Sequence, residues 1–268
     1  MYEAFYGMQH TPFGKDIPAQ RLYESKQVQD ARGRLLYAAD RKQFAVVTGD
    51  PGCGKSTLIR LLDASVPKEK YTLLYVSDSQ LTPRWLYSGL LEQLGIKAHF
   101  YRGDAKRQLQ RALKALKEEQ KKDTICVLDE AHLLEKETLE EFRFLLNSEF
   151  DSASPLSLVL VGQTELWEKL RMQRYTAITQ RIDMNIVLKP MDRSETGLYI
   201  RSHLAYAEER RKGARPWKCW KREESARLTS VSWRAPKEIP ITTARRRASK
   251  ILPCIMACAL TELWMQRR

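Results

Sequence analysis

Short apolar runs alternate with amphipathic stretches through the first 200 or so residues. The runs are Phe44–Val47, Tyr71–Val76, Thr124–Leu128, Leu156–Val161 and Met184–Leu188. They are rich in Val, Leu and Ile and show little polar alternation, the pattern of strands covered on both faces. Between them, residues 55–64, 83–94, 104–121, 136–147, 164–171 and 173–181 read as helices. A helix over Lys26–Lys42 precedes the first run, with Val28, Ala31, Leu35, Leu36 and Ala39 at helical spacing. Another follows Asp192 and carries Leu198, Tyr199, Ile200 and Leu204. Strands and helices in this alternation predict an α/β domain: a five-stranded parallel sheet flanked by helices. The expected organisation is an opening arm (1–25), the α/β domain (26–207) and a C-terminal segment (208–268). No internal repeat is evident.

Composition changes this picture at one place. Hydrophobic residues are 43% and charged residues 29% of the chain, ordinary values that exclude global disorder, collagen and a small disulfide scaffold. The longest strongly apolar run, Ile251–Leu260, contains Pro253 and is too short to cross a bilayer. No basic-then-apolar leader opens the sequence. Five cysteines without framework spacing fit a reducing compartment, so a cytoplasmic protein with no membrane partner is expected. The net charge of +13 is concentrated: residues 211–268 hold 15 Lys/Arg against 4 Asp/Glu, with four of the six Trp and no Asp. That segment reads as a disordered basic tail, a divergent domain or the product of a shifted reading frame.

Gly49-Asp50-Pro51-Gly52-Cys53-Gly54-Lys55-Ser56 matches G-x-x-x-x-G-K-[ST], with a strand before it and a helix after it. Three glycines let the backbone curl so that successive N–H groups face one anion, and the helix N-terminus adds its partial positive charge. Lys55 can reach β- and γ-phosphates, and the Ser56 hydroxyl, followed by Thr57, is placed for Mg²⁺. The run Thr124–Leu128 ends in Asp129-Glu130, two carboxylates at the C-terminal end of a buried strand, where ligands bind in open α/β sheets. Asp129 is the candidate Mg²⁺ ligand. Glu130 is the candidate group that orients an attacking water. His132 completes Asp-Glu-Ala-His, a string also found in helicases; this chain is too short for the two domains such a helicase needs, so His132 reads as structural. Cys254, Cys258 and Cys219 do not make a zinc site, because the tail has no His. Cys53 reads as a tolerated small residue of the loop. The lysines at 114, 117, 121 and 122 read as a solvated helix face, and Trp85 and Trp167 as core or edge packing.

These strings together resemble AAA+ ATPases of the group that includes the ExeA-like secretion ATPases and the ATP-binding helpers of transposons and insertion sequences. The likeness is carried by Phe5-Tyr6-Gly7 with Pro12-Phe13, the phosphate loop, Leu128–Leu134, Leu145-Leu146-Asn147, Leu160–Leu166 and Gln180-Arg181-Ile182, and it runs from about Tyr2 to Ala207. It implies ATP and Mg²⁺ as ligands, ATP hydrolysis, and a sheet order of 5-1-4-3-2. It implies that Gln163 senses the γ-phosphate; the alternative is a strand-end amide. It implies that Arg181 reaches a neighbouring subunit's ATP, or else is a surface arginine, with Arg174 the weaker candidate. An arginine acting in trans implies an ATP-dependent ring or filament. The expected role is a helper of transposition, working with a transposase on duplex DNA without reading its sequence. The alternatives are an ExeA-like secretion ATPase and a damaged, non-catalytic copy. The third possibility arises because the resemblance also implies a helical lid with a Gly-Ile-Pro-Arg-like string after Ala207. Its nearest echo is Ala235-Pro236-Lys237, so the lid is expected to be aberrant or missing. A frame shift near or after Glu208 would produce both that loss and the change in composition.

Overall fold

The computed structural model describes residues 3, 8–77, 81–146 and 154–208. The expected strands all form: β1 (Phe44–Gly49), β2 (Tyr71–Val76), β3 (Asp123–Leu128), β4 (Leu156–Gly162) and β5 (Met184–Leu188). They make one sheet in the order β2-β3-β4-β1-β5, with every neighbouring pair parallel. The helices are α1 (Lys26–Asp40), α2 (Lys55–Ser65), α3 (Pro83–Gln93), α4 (Arg102–Glu119), α5 (Lys136–Leu146), α6 (Thr164–Leu170), α7 (Thr176–Thr179) and α8 (Arg193–Ala207).

The continuous apolar character of the strands is explained by two cores, one on each face of the sheet. Phe44, Val46, Cys126, Leu128, Leu158 and Leu160 face α3 to α7, in a core with Leu90, Leu109, Phe142 and Leu166. The alternate residues Ala45, Val47, Ile125, Val127, Val159 and Val161 face α1 and α2, in a core with Leu35, Leu58 and Leu62. β1 and β4 are buried along their whole lengths, so neither strand can carry a polar face.

Local signals set the ends of helices. Ser25 and Thr82 accept from Val28 N and Trp85 N and so cap α1 and α3, and Pro83 stands in the first turn of α3, where its missing N–H costs nothing. Asp192 and Glu195 form a reciprocal capping box on α8. Three expectations need correction. The stretch 173–181 is not one helix but a 3-10 turn, Gln173–Tyr175, followed by the short α7. α4 stops at Glu119, and Lys121 takes a left-handed φ of 55° that ends the run. Trp85 is 59% exposed, 5.8 Å beneath the Arg84 guanidinium, and is not a core residue; Trp167 packs partly buried against the core.

The opening arm packs on the α/β body. Pro12 and Ile17 are buried, Phe13 stacks on His203 of α8 at 5.3 Å, and Gln9 N donates to Ala207 O at 2.9 Å. Phe5-Tyr6-Gly7, Asn147 and all of 209–268, including Ala235-Pro236-Lys237, lie outside the described residues. No helix among the described residues is long and apolar enough to cross a membrane.

Candidate functional site

β1 delivers the chain to the phosphate loop at the C-terminal edge of the sheet, between β4 and β5. The three glycines serve different needs. Gly49 is still paired with Leu188 in the β1–β5 ladder, and a Cβ there would lie 2.6 Å from the Leu188 carbonyl oxygen. Gly52 and Gly54 have φ of 89° and 90°, a region that side-chain-bearing residues rarely occupy. The turn closes through Cys53 N to Asp50 O at 3.2 Å, and α2 opens with Leu58 N to Gly54 O at 2.9 Å. Gly54 is the N-cap and has no side chain to satisfy the first amides, so these face the loop and suit an anion. Cys53 is a buried free thiol in the core beneath the loop. Its side chain is buried in that core, while Asp50, Pro51 and Gly52 of the same loop are exposed. Lys55 folds back onto the loop, donating to Gly49 O at 2.8 Å and Asp50 O at 3.1 Å. A phosphate would replace those two acceptors with charged ones.

The acidic pair stands two strands away. β3 ends at Leu128, and Asp129 N donates to Val76 O of β2 at 2.8 Å, which carries the ladder one residue further. The Asp129 side chain is buried. Its Oδ2 accepts from Tyr75 Oη and its Oδ1 from Glu130 N, both at 2.9 Å. Each oxygen keeps a second lone pair. Burial and the Asp129 carboxylate push the Tyr75 phenol up to about 12, so it stays a donor. Glu130 has a left-handed φ of 53°, which swings it out of the strand direction and leaves its side chain 45% exposed.

His132 is placed between the two halves of the site. Its side chain is 7% exposed, and Nδ1 lies 3.5 Å from Glu130 Oε2 and 3.5 Å from Gln163 N at the end of β4. Nδ1 cannot serve both: without a hydrogen it accepts from the Gln163 amide, and with one, in either the neutral or the charged ring, it donates to Glu130. Gln163 is the N-cap residue of α6, and the next residue, Thr164, donates its hydroxyl to Asp50 Oδ1 at 2.8 Å. The end of β4 is thus tied to both the phosphate loop and the acidic pair. Arg181 lies in the connection from α7 to β5 and is partly exposed. Arg174 lies over the Tyr175 ring at 5.0 Å.

The hard oxygens of Asp129 and Ser56 fit Mg²⁺. Among the described residues no cluster of three or more His, Cys, Asp or Glu could hold a metal alone. Mg²⁺ characteristically takes one or two protein oxygens and completes its shell with phosphate and water.

A cavity of about 360 Å³ opens beside the loop, within the usual range of small-molecule sites, roughly 300–1,000 Å³. Gly54, Ser56, Thr57 and Arg60 form its wall on the loop side, Phe13, Lys15 and Tyr23 of the arm form a second, and Tyr199 and His203 of α8 form a third. Arg60 is held in place by the Ile17 carbonyl. Sequence patterns did not single out Lys15, Tyr23, Arg60 and His203 of this group, or Tyr75. Only the aromatic content of the arm and the Tyr199/His203 spacing on one helix face hinted at it.

Comparison with known proteins agrees with this architecture. The AAA domain family matches residues 38–170, which spans β1, the phosphate loop, the acidic pair and α6. General secretion pathway protein A of Aeromonas hydrophila is 31% identical over 216 residues, covering 77% of this chain and 38% of that protein. The chain therefore spans about two fifths of the length of that relative. Two solved structures share the fold. The ORC2 protein of Aeropyrum pernix in its ADP form has a TM-score of 0.54 at 16% identity, over 71% of this chain and 53% of that one. Cdc6p of Pyrobaculum aerophilum has 0.52 at 18%, over 73% and 51%. Residues 38–170 match the AAA domain family, the chain is similar to part of general secretion pathway protein A, and the described residues have the fold of an AAA+ P-loop NTPase.

Proposed function

We propose that this chain binds ATP with Mg²⁺ at the phosphate loop and hydrolyses it to ADP and phosphate. The observation that carries the reading is the convergence, at one sheet edge, of an amide-lined loop, Lys55 and the Asp129-Glu130 pair. The loop amides of Gly52, Gly54 and Lys55 hold the phosphates, and Lys55 exchanges its two carbonyl partners for β- and γ-phosphate oxygens. Ser56 and Asp129 hold the ion, with Tyr75 keeping Asp129 oriented; Mg²⁺, when bound, neutralises charge on the transferring phosphoryl group. Glu130, exposed and turned out of the strand, orients the attacking water. Gln163 contacts the γ-phosphate from the end of β4. Positioning and charge stabilisation supply the rate. The base occupies the cavity between arm and α8, which shares Gly54, Ser56 and Thr57 with the loop.

Hydrolysis serves as a switch for self-assembly, with Arg181 reaching the nucleotide of a neighbouring copy in a ring or filament. A residue acting in that way contributes roughly 10³–10⁵ in rate. Two settings fit such a switch. The transposition helper, with a transposase and duplex DNA as partners, rests on the motif resemblance. The secretion-pathway setting, ranked second from sequence, is favoured by the 31% identity to general secretion pathway protein A. In either setting the domain limits 26–207 for the ATPase part and 208–268 for a separate basic segment are retained as a proposal.

The test is steady-state phosphate release by the purified chain with and without duplex DNA, alongside Lys55→Ala, Glu130→Gln and Arg181→Ala. Turnover lost in the first two supports the catalytic assignment. A loss in Arg181→Ala that is relieved by mixing with Glu130→Gln subunits supports action in trans. Stimulation by DNA favours the transposition setting, and its absence the secretion setting. Turnover equal to wild type in Glu130→Gln would refute the mechanism.

A further inference from the structure

His203, which lines the cavity beside the phosphate loop, carries a buried polar atom that the fold leaves unpaired. His203 is 4% exposed, and its Nδ1 has no hydrogen-bond partner among the described residues. The residue is tightly framed. Tyr199, one turn earlier on α8, lies 4.3 Å away between ring centroids, and Phe13 of the arm stacks at 5.3 Å with an interplanar angle of 11°. These neighbours fix the imidazole plane. A phenylalanine would fill the same space without a stranded nitrogen, whose burial without a partner is unfavourable. A polar ring in this position is explained by something that enters the cavity and pairs with it.

The state of the ring defines what that partner must be. Burial lowers the His203 pKa from its ordinary value, and Lys15 and Arg60 line the same cavity and oppose a further positive charge. Neutral imidazole has one donor and one acceptor nitrogen. The tautomer with the proton on Nε2, the commoner one in free histidine, leaves Nδ1 as an acceptor and so calls for a donor. With the phosphates anchored at Gly54–Ser56, the group that extends between Phe13, Tyr199 and Arg60 is the base. Adenine presents a 6-amino donor; guanine presents a carbonyl oxygen at the same position.

We propose that His203 is the base-reading residue of this site: its Nδ1 accepts a hydrogen bond from the 6-amino group of adenine and thereby selects adenine over guanine nucleotides. The inference rests on the nucleotide-site reading above and extends it to specificity. It places a specificity determinant on α8, outside the residues matched by the AAA domain family.

Calorimetric titration of the full chain with ADP, GDP and purine riboside diphosphate tests it; the last is ADP without the 6-amino group, and diphosphates avoid turnover. The expected result is ADP binding about tenfold tighter than either analogue, the worth of one well-made hydrogen bond. His203→Phe keeps the stacked ring and removes the acceptor, so all three should bind alike, at the analogue affinity. His203→Gln, which offers an acceptor oxygen, should recover part of the preference for ADP. Wild-type affinities within twofold of one another would overturn base reading and leave the phosphate site standing. A preference that survives intact in His203→Phe would also overturn it. No binding of any diphosphate by wild type would overturn the nucleotide-site reading and this inference with it. If His203→Phe does not fold, as judged by circular dichroism, the analogue series on the unmodified chain decides the question alone.

Discussion

Gly49→Ala separates a packing requirement from a conformational one within a single loop. Gly49 closes β1 opposite Leu188 of β5. A Cβ at that position would lie 2.6 Å from the Leu188 oxygen and 3.1 Å from the Leu188 Cβ. An ordinary C···O contact is about 3.3 Å, so the Leu188 carbonyl must retreat by about 0.7 Å. Both neighbours are fixed: β1 is buried throughout, and Leu188 is 1% exposed in the core against α1 and α2. Forcing an extra carbon into a full site costs about 1–3 kcal/mol. For a domain of this size that is a fall in Tm of roughly 2–12 °C, measurable without any nucleotide. Gly52 poses the other requirement. Nothing lies within 4 Å of a Cβ there, but φ is 89°. Gly52→Ala strains a solvent-facing loop that can swing away, so its smaller loss of stability should accompany a larger loss of ADP affinity. The assay is thermal unfolding of both variants with and without ADP. A Tm for Gly49→Ala equal to wild type, or a larger fall in Gly52→Ala, would refute the reasoning.

Two further outcomes follow from buried polar groups. Glu141 is 5% exposed and is held by the Tyr87 hydroxyl, by Arg102 at 3.3 Å and by Lys106 at 3.9 Å. Tyr87→Phe removes the one fully buried partner and should cost about 1–2 kcal/mol, seen as a lower urea midpoint with an unchanged m-value; an unchanged midpoint would show that the two cations suffice. The pH dependence of stability should carry a His203 component. The unfolded imidazole keeps its ordinary pKa near 6.5, and burial lowers the folded value, so between the two the unfolded chain binds more protons. The stability from the neutral ring is complete above pH 6.5 and declines as pH falls through that window. His203→Phe should therefore lose less Tm than wild type between pH 7.5 and pH 5.5, and an identical loss would contradict the assignment.

The fold was legible in the sequence because its central strands, β3, β4 and β1, are covered on both faces. All five strands read as mostly apolar runs whose limits match the structure within two residues, and the phosphate loop marked which strand leads. The sheet order came from resemblance, not from periodicity, which says nothing about neighbours. The 173–181 stretch was misread because Tyr175 and Ile178, both buried, keep a helical spacing across a 3-10 turn. Trp85 was misread because apolar character alone does not reveal that a helix corner faces water beneath an arginine. Within the candidate site, Lys55, Ser56, Asp129 and Glu130 are motif residues and are legible as candidates in the sequence. Tyr75 is not, because it is an exposed position on an edge strand, and its meaning depends on Asp129, 54 residues away. His132 read as structural; the structure puts its Nδ1 equally close to Glu130 and to the Gln163 amide, a juxtaposition of two strand ends that spacing cannot show. The cavity beside the loop is not legible for the same reason: Phe13 and His203 are 190 residues apart and meet only through the packing of the arm on α8.

The most direct test of the central claim is calorimetric titration of the full chain with ATP and Mg²⁺, using a non-hydrolysable analogue, beside Lys55→Ala. The account predicts one nucleotide per chain in the wild type, and loss of binding in Lys55→Ala with little change in Tm, because the Lys55 ammonium donates, among the described residues, to loop carbonyls that solvent can replace. Nucleotide binding of equal affinity in Lys55→Ala, or none in a folded wild-type chain, would contradict it.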